Sequence, residues 1–262
     1  MAMHILVSND DGVYAPGITA LAEAMLPFGQ VTVIAPRENR SAIGHRKTMH
    51  KPLRIDPVSF AVKGVAAFAT SESPSDSVAV ALLGFIKEPI DLVVSGINRG
   101  ANMGQDLTYS GTVSAAFEAV IWHKPAIAFS LIDVSEDADY RPAAAIARQM
   151  VALGLYRNLP PLTLLNVNVP PLPLEQVKGC LLYTSPSPRD RTRSRMPSSA
   201  GKQKPSDSPR AQTITTACTH QSEYQDRNYH APLHPLDTCT PHHRLPARRC
   251  PHDSHLLFDL HP

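Results

Sequence analysis

His4-Ile5-Leu6-Val7-Ser8-Asn9-Asp10-Asp11-Gly12 is the stretch from which the rest of the chain can be read. Ile5, Leu6 and Val7 form a short apolar run suited to a strand buried on both faces. The run stops at two adjacent carboxylates and a glycine. In an open α/β sheet, ligands bind in the crevice beyond the carboxyl ends of the strands, so Asp10 and Asp11 stand at the mouth of a site. No positive side chain next to them in sequence neutralises the pair. Two like charges this close favour something divalent or protonated between them, and a hard cation such as Mg2+ prefers carboxylate oxygen. The competing reading is a turn that Asn9 and Asp10 merely cap.

Outward from this stretch the pattern repeats. Gly12-Val13-Tyr14-Ala15-Pro16-Gly17 is a loop of turn formers. Ile18, Leu21, Ala22, Met25 and Leu26 then recur at helical spacing until Pro27 and Gly29 end the helix. Val31, Val33 and Ile34 predict a second strand, giving the βαβ unit of a parallel sheet. The loop that follows, Arg37 to Gly44, falls beside the Asp pair by the same rule. There Ser41 can offer a hydroxyl oxygen to a metal, and Arg40 or His45 can meet an anion; a plain solvated loop is the alternative.

Residues 46–70 alternate loosely, predicting an irregular hairpin or a small extra sheet. Ser73-Pro74-Ser75-Asp76 predicts an N-cap with proline at the first helical position, opening a helix through Phe85. Ile90 to Val94 predicts a strand, and Ser95 to Gly104 a polar, glycine-punctuated loop. Tyr109-Ser110-Gly111-Thr112-Val113 then leads into a helix through Ile121. Unpaired N–H groups and small hydroxyls at a helix start suit a phosphate, and Ser110 or Thr112 can equally be an ordinary N-cap. Ala126–Leu131 and Leu162–Val169 predict further strands, Tyr140–Leu155 a helix, and Val177–Thr184 the start of one more strand.

Composition divides the chain in two. Residues 1–180 carry 14 Lys+Arg and 16 Asp+Glu, a net of −2; residues 181–262 carry 11 and 7, a net of +4. All four cysteines (Cys180, Cys218, Cys239 and Cys250) lie at or beyond position 180, and beyond it there is no valine, one isoleucine and one glycine. The overall net charge of +2 gives no reason to expect a nucleic-acid or membrane partner. No apolar run approaches the ~20 residues of a membrane span. The N-terminus runs straight into a strand without a signal-peptide pattern, so a cytoplasmic location is expected.

Several blocks together resemble the SurE family, the stationary-phase survival nucleotidases. They are Ser8–Gly12 with Ala15-Pro16-Gly17, Ala35–Ser41, Val94–Gly104, Tyr109–Ala116 and Leu165–Pro170, in order over residues 3–179. The resemblance implies a Rossmann-like, three-layer, doubly wound α/β fold with a mostly parallel sheet. It implies a metal-dependent 5′-nucleotidase acting on nucleoside 5′-monophosphates, with one Mg2+ or Mn2+ per subunit. Asp10 and Asp11 match the acidic ligands and are the catalytic pair, Ser41 matches the hydroxyl ligand and Asn98 the amide ligand. Asn102, Ser110, Gly111 and Thr112 match the phosphate pocket. Such a site would give Lewis-acid catalysis with in-line attack by water; attack by Asp10 or Asp11 is the chemical alternative. A broader phosphomonoesterase or exopolyphosphatase, and a non-catalytic nucleotide-binding module, are the competing functions. The Gly-x-Gly-x-x-Gly and P-loop patterns are both absent.

The resemblance stops near Gly179. The expected organisation is therefore a truncated SurE-like domain at 1–180 and a basic, Pro/His/Arg-rich segment at 181–262, unstructured or aberrant. A frameshift or artefactual join explains its composition. The oligomerisation elements of this homo-oligomeric family are then missing. Cys218, His220, Cys239, His242, His243, Cys250, His252 and His255 fit no regular zinc spacing. The arginines between Arg189 and Arg195 lack the aromatic platforms of a nucleic-acid surface.

Overall fold

Ile5, Leu6 and Val7 are fully buried in β1 (Met3–Ser8), the strand beside which the chain changes direction across its sheet. The computed structural model describes residues 2–177 in full and, as backbone strands, Cys180–Thr184, Gln212–Cys218 and Leu256–Phe258. The loop, helix and strand expected after the Asp pair are present as α1 (Pro16–Met25) and β2 (Gly29–Pro36). Pro16 stands at the helix start, where a missing N–H costs nothing.

β3 (Ile55–Pro57) and β4 (Ala66–Thr70) form the expected hairpin. It is not a separate sheet, however, because β4 also pairs in parallel with β2. The short side chains of Ala67 and Ala69, both buried, let it join a covered sheet. α2 (Pro74–Val80) starts with a capping box in which Ser73 and Asp76 satisfy each other's backbone donors, and a wider turn continues it to Phe85. β5 (Leu92–Arg99) runs further than the apolar pattern predicted. Asn98 thus sits at a strand end, past a bulge against the neighbouring strand, and not in a free loop. α3 (Gly111–Ile121), β6 (Ala126–Leu131), α4 (Arg141–Ala152) and β7 (Thr163–Val169) follow as the spacing indicates.

The sheet order is β10-β8-β9-β7-β6-β5-β1-β2-β4-β3, with β8 (Cys180–Thr184), β9 (Gln212–Cys218) and β10 (Leu256–Phe258) at one edge. From β9 through β4 neighbouring strands are parallel; β3, β8 and β10 are antiparallel additions. β8 answers the strand expected from Val177 onward, and the β-branched residues of Gln212–Cys218 suit β9. The rest of 181–262, including most of the cysteines and histidines weighed as zinc ligands and the Arg189–Arg195 run, lies outside the described residues. Among those described, no helix is long and apolar enough to cross a membrane.

Two cores flank the sheet. One packs α1 and α4 residues such as Leu21, Met25 and Ile146 against Ile5, Val7 and Phe129. The other packs α2 and α3 residues such as Val78, Val113 and Ala116 against Leu6, Ile34 and Val93. Each fully buried large side chain contributes about 1.5–3 kcal/mol. These two layers fix the helix starts above the carboxyl ends of the strands, and β1 and β5 lie side by side where the winding reverses. That is the crevice where such sheets bind ligands.

Candidate active site

Asn9 and the Asp pair divide the labour of the first loop. Asn9 makes the turn: its Nδ2 donates to the Gly12 carbonyl at 3.0 Å and its Oδ1 accepts from the Gly12 N–H at 3.2 Å. Gly12 holds φ at 107°, a backbone shape that side chains oppose. The bend therefore needs no help from Asp10, whose carboxylate turns to α3 and is only 3 % exposed. There it accepts a short hydrogen bond from the Thr112 hydroxyl and a second from the Thr112 backbone amide. Burial is the largest influence on the Asp10 carboxyl and, with the nearby charge of Asp11, pushes it up to about 6 against the opposing pull of Thr112.

α3 can come this close only because Gly111 has no side chain. A Cβ placed there would lie 2.7 Å from the Asp10 Cβ and 2.8 Å from its Oδ2. Ser110 caps the helix by accepting from the Val113 N–H at 3.1 Å. Gly111 and Thr112 thus form the first turn of a helix whose positive end faces the acidic loop. Of the two residues that the sequence offered as the N-cap, Ser110 and Thr112, it is Ser110 that caps α3.

Asp11 is less buried. Burial raises its carboxyl, opposed by the Arg99 backbone N–H, 3.4 Å from Oδ2, and by the Arg99 charge. This cation was invisible in the local sequence because β5 delivers it from 88 residues away. Next to it, Asn98 donates from Nδ2 to the Gly100 carbonyl at 2.8 Å, which places its Oδ1 3.4 Å from the Thr112 hydroxyl. Asp10, Asp11, Asn98 and Thr112 are therefore gathered by β1, β5 and α3.

Ser41 does not touch that group. Its hydroxyl donates to Asn39 Oδ1 at 2.6 Å, and its N–H to the same oxygen at 2.8 Å. The loop nevertheless reaches the site through its backbone, since the Arg40 N–H donates to the Asp10 carbonyl at 2.6 Å. Among the described residues no three His, Cys, Asp or Glu side chains gather at one point. A cation here would depend on two carboxylates completed by neutral oxygens. That donor set fits a hard ion: Asn98 presents a carbonyl oxygen, and Ser41 spends its proton on Asn39 and keeps its lone pairs.

The sequence profile described as "Survival protein SurE" matches residues 5–192. The chain belongs to the SurE family. It is similar to the protein named 5′-nucleotidase SurE of Geobacter sulfurreducens, 50 % identical over 188 residues, spanning 72 % of this chain and 70 % of that one. The 5′-nucleotidase SurE of a Synechococcus species is 45 % identical over 183 residues, 69 % and 70 % of the two chains. The crystal structure of the SurE protein from Aquifex aeolicus overlays with a TM-score of 0.59 at 34 % identity, covering 71 % of this chain and 78 % of that chain. The SurE match continues past residue 179, through β8.

Sequence reasoning placed Asn102 in the SurE phosphate pocket without seeing what holds it. Its N–H donates to Asn168 Oδ1 at 2.8 Å, and its carbonyl accepts from Asn166 Nδ2 at 2.8 Å and Asn168 Nδ2 at 3.1 Å. Its own Nδ2 donates to Ser130 Oγ at 2.8 Å. Asn166, Asn168 and Ser130 are all fully buried and were given no role. The signal was present: two asparagines at i and i+2 share one face of β7, where asparagine is disfavoured and buried polar groups demand partners.

Proposed function

We propose that this chain is a divalent-metal-dependent 5′-nucleotidase that hydrolyses nucleoside 5′-monophosphates to nucleoside and phosphate. The observation that carries the reading is the meeting of Asp10, Asp11 and Asn98 with the N-terminal turn of α3 at the reversal point of the sheet. Support comes from relatives named 5′-nucleotidase SurE. Asp10, Asp11, Asn98 and Ser41 would hold the cation, Mg2+ or Mn2+. When bound it supplies Lewis acidity and a template for an anionic substrate.

The chain's own residues do the rest. Gly111 offers its first-turn amide, and Ser110 its hydroxyl, to the phosphoryl oxygens; Thr112, expected to join them, gives its donors to Asp10 and holds that carboxylate at the pocket's edge. Asn102, held rigid by β6 and β7, completes that end of the pocket. The Asp10 carboxylate is committed to Thr112, which makes it an electrostatic anchor and a poor nucleophile. We therefore assign the attack on phosphorus to water, in line with the leaving nucleoside oxygen. Purified protein should release phosphate from AMP with Mg2+ or Mn2+ and lose this with EDTA. Chelator-insensitive turnover, or AMP binding without turnover, refutes the assignment. A phosphorylated aspartate found by mass spectrometry after acid quench refutes the water mechanism.

Of residues 181–262, set apart in the sequence from the SurE-like domain at 1–180, we read the part beyond the profile match at 192 as foreign to the family's design, the product of a frameshift or join; the composition break and the end of that match support this. An intact reading frame in independently sequenced DNA overturns it. We also propose a cytoplasmic location.

A further inference from the structure

Glu118 has no solvent exposure, and it lies on α3 about 9 Å along the axis from Thr112. A buried carboxylate is costly unless it is paired, and this one accepts from three donors. Trp122 Nε1, one turn on, donates at 2.9 Å. The other two, His45 Nε2 at 2.7 Å and Lys47 Nζ at 3.0 Å, come from the loop after β2. A partly exposed surface loop is thereby fastened to a group inside the protein.

That loop is the one that carries Ser41. It is pinned upstream by the Arg40 N–H on the Asp10 carbonyl, and downstream by the Gly44 N–H, which donates to the Tyr109 carbonyl at 3.0 Å. Between them Ala42 sits at φ 58°, left-handed backbone that a non-glycine residue adopts only against steric opposition. Such a shape persists only where the surroundings over-determine it. His45 follows Gly44 directly, so its bond to Glu118 is the next anchor along the loop.

We propose that Glu118 is a positioning residue for the cation site: by gripping His45 and Lys47 it holds the Ser41 loop along the start of α3 and sets how near Ser41 stands to Asp10 and Asn98. The inference rests on the metal reading of the site given above. It differs from a purely structural role, in which Glu118 only satisfies itself and its neighbours. A structural role lowers stability and leaves cation affinity alone.

The test is Mn2+ binding to the full chain, read as the loss of the free-ion EPR signal, with no substrate present. Losing a partner behind a metal ligand typically weakens binding 10–100-fold. Glu118→Gln should raise the Mn2+ Kd at least tenfold. His45→Ala, which alters only the loop side, should raise it severalfold with a smaller change in Tm. If either folded variant keeps the wild-type Kd within twofold while its Tm falls, the positioning role is overturned. If Glu118→Gln does not fold, His45→Ala decides alone by the same criterion. Wild-type protein that binds no Mn2+ overturns the metal reading, and this inference with it.

Discussion

Gly111→Ala is the substitution on which local propensity and tertiary packing give opposite signs. Alanine favours a helix over glycine by roughly 0.5–1 kcal/mol, and Gly111 is not at positive φ, so the backbone alone would welcome the change. The added methyl, however, would lie 2.7 Å from Asp10 Cβ, 2.8 Å from Oδ2 and 3.1 Å from Cγ. Asp10 cannot swing away cheaply, because it is buried and both the hydroxyl and the amide of Thr112 hold it. Overpacking of this kind costs about 1–3 kcal/mol, which matches or outweighs the propensity gain and leaves a net loss of up to about 2.5 kcal/mol. For a domain of this size that lowers Tm by up to roughly 10 °C. The relief has to come from α3 or Asp10 moving by some tenths of an ångström, a fraction of the ~1 Å misplacement that costs about 100-fold, so AMP turnover should fall by about 3–10-fold. Thermal melts and a phosphate-release assay on one preparation read both effects. A Gly111→Ala protein that melts higher than wild type and turns over AMP equally fast refutes the packing argument and the placing of α3 in the site.

Other substitutions probe the same arrangement. Asp10→Asn and Asp11→Asn should each remove most phosphate release, with Mn2+ affinity falling in at least one; retained turnover in both refutes the acidic pair as the centre. Thr112→Val strips a buried carboxylate of a hydroxyl donor and should cost about 1–3 kcal/mol in urea melts, whereas Thr112→Ser, which keeps the hydroxyl, should recover most of the activity. At Glu118, burial pushes the carboxyl up, but the donors His45, Trp122 and Lys47 outweigh it and hold the group at about 2 against an ordinary 4.5. A depressed carboxyl stabilises the fold fully above 4.5 and loses that contribution as pH falls toward 2. The stability gap between wild type and Glu118→Gln, up to about 3 kcal/mol, should therefore shrink over that window, and a gap that widens on acidification contradicts the ion-pair assignment.

Much of this was legible in the chain. The apolar runs ending in Asp10-Asp11, at Pro36 and at Leu131 announced parallel strands with their loops on one side, because a strand buried on both faces has few other readings. Ser73 and Ser110 announced their helices, because a cap is a local contract between neighbours. What escaped was long-range. Arg99 reaches Asp11, Glu118 grips His45 and Lys47, and Asn166 and Asn168 hold Asn102, all across separations that carry no periodicity. Asn98 was expected in a loop because the apolar pattern of β5 ends at Val94, while its backbone ladder, bulged, continues to Arg99.

The asparagine clamp also ties the fate of the pocket to an unexpected quarter. Asn102 is gripped by side chains of β7, and the outer neighbour of β7 is β9, drawn from the part of the sequence past residue 192. The hold on Asn102 is thus only as firm as the seam between β7 and β9, where the part of the chain matched by the family profile meets sequence beyond residue 192. Loosening that seam would be felt first at Asn102, before anything happened to the acidic pair in the middle of the sheet.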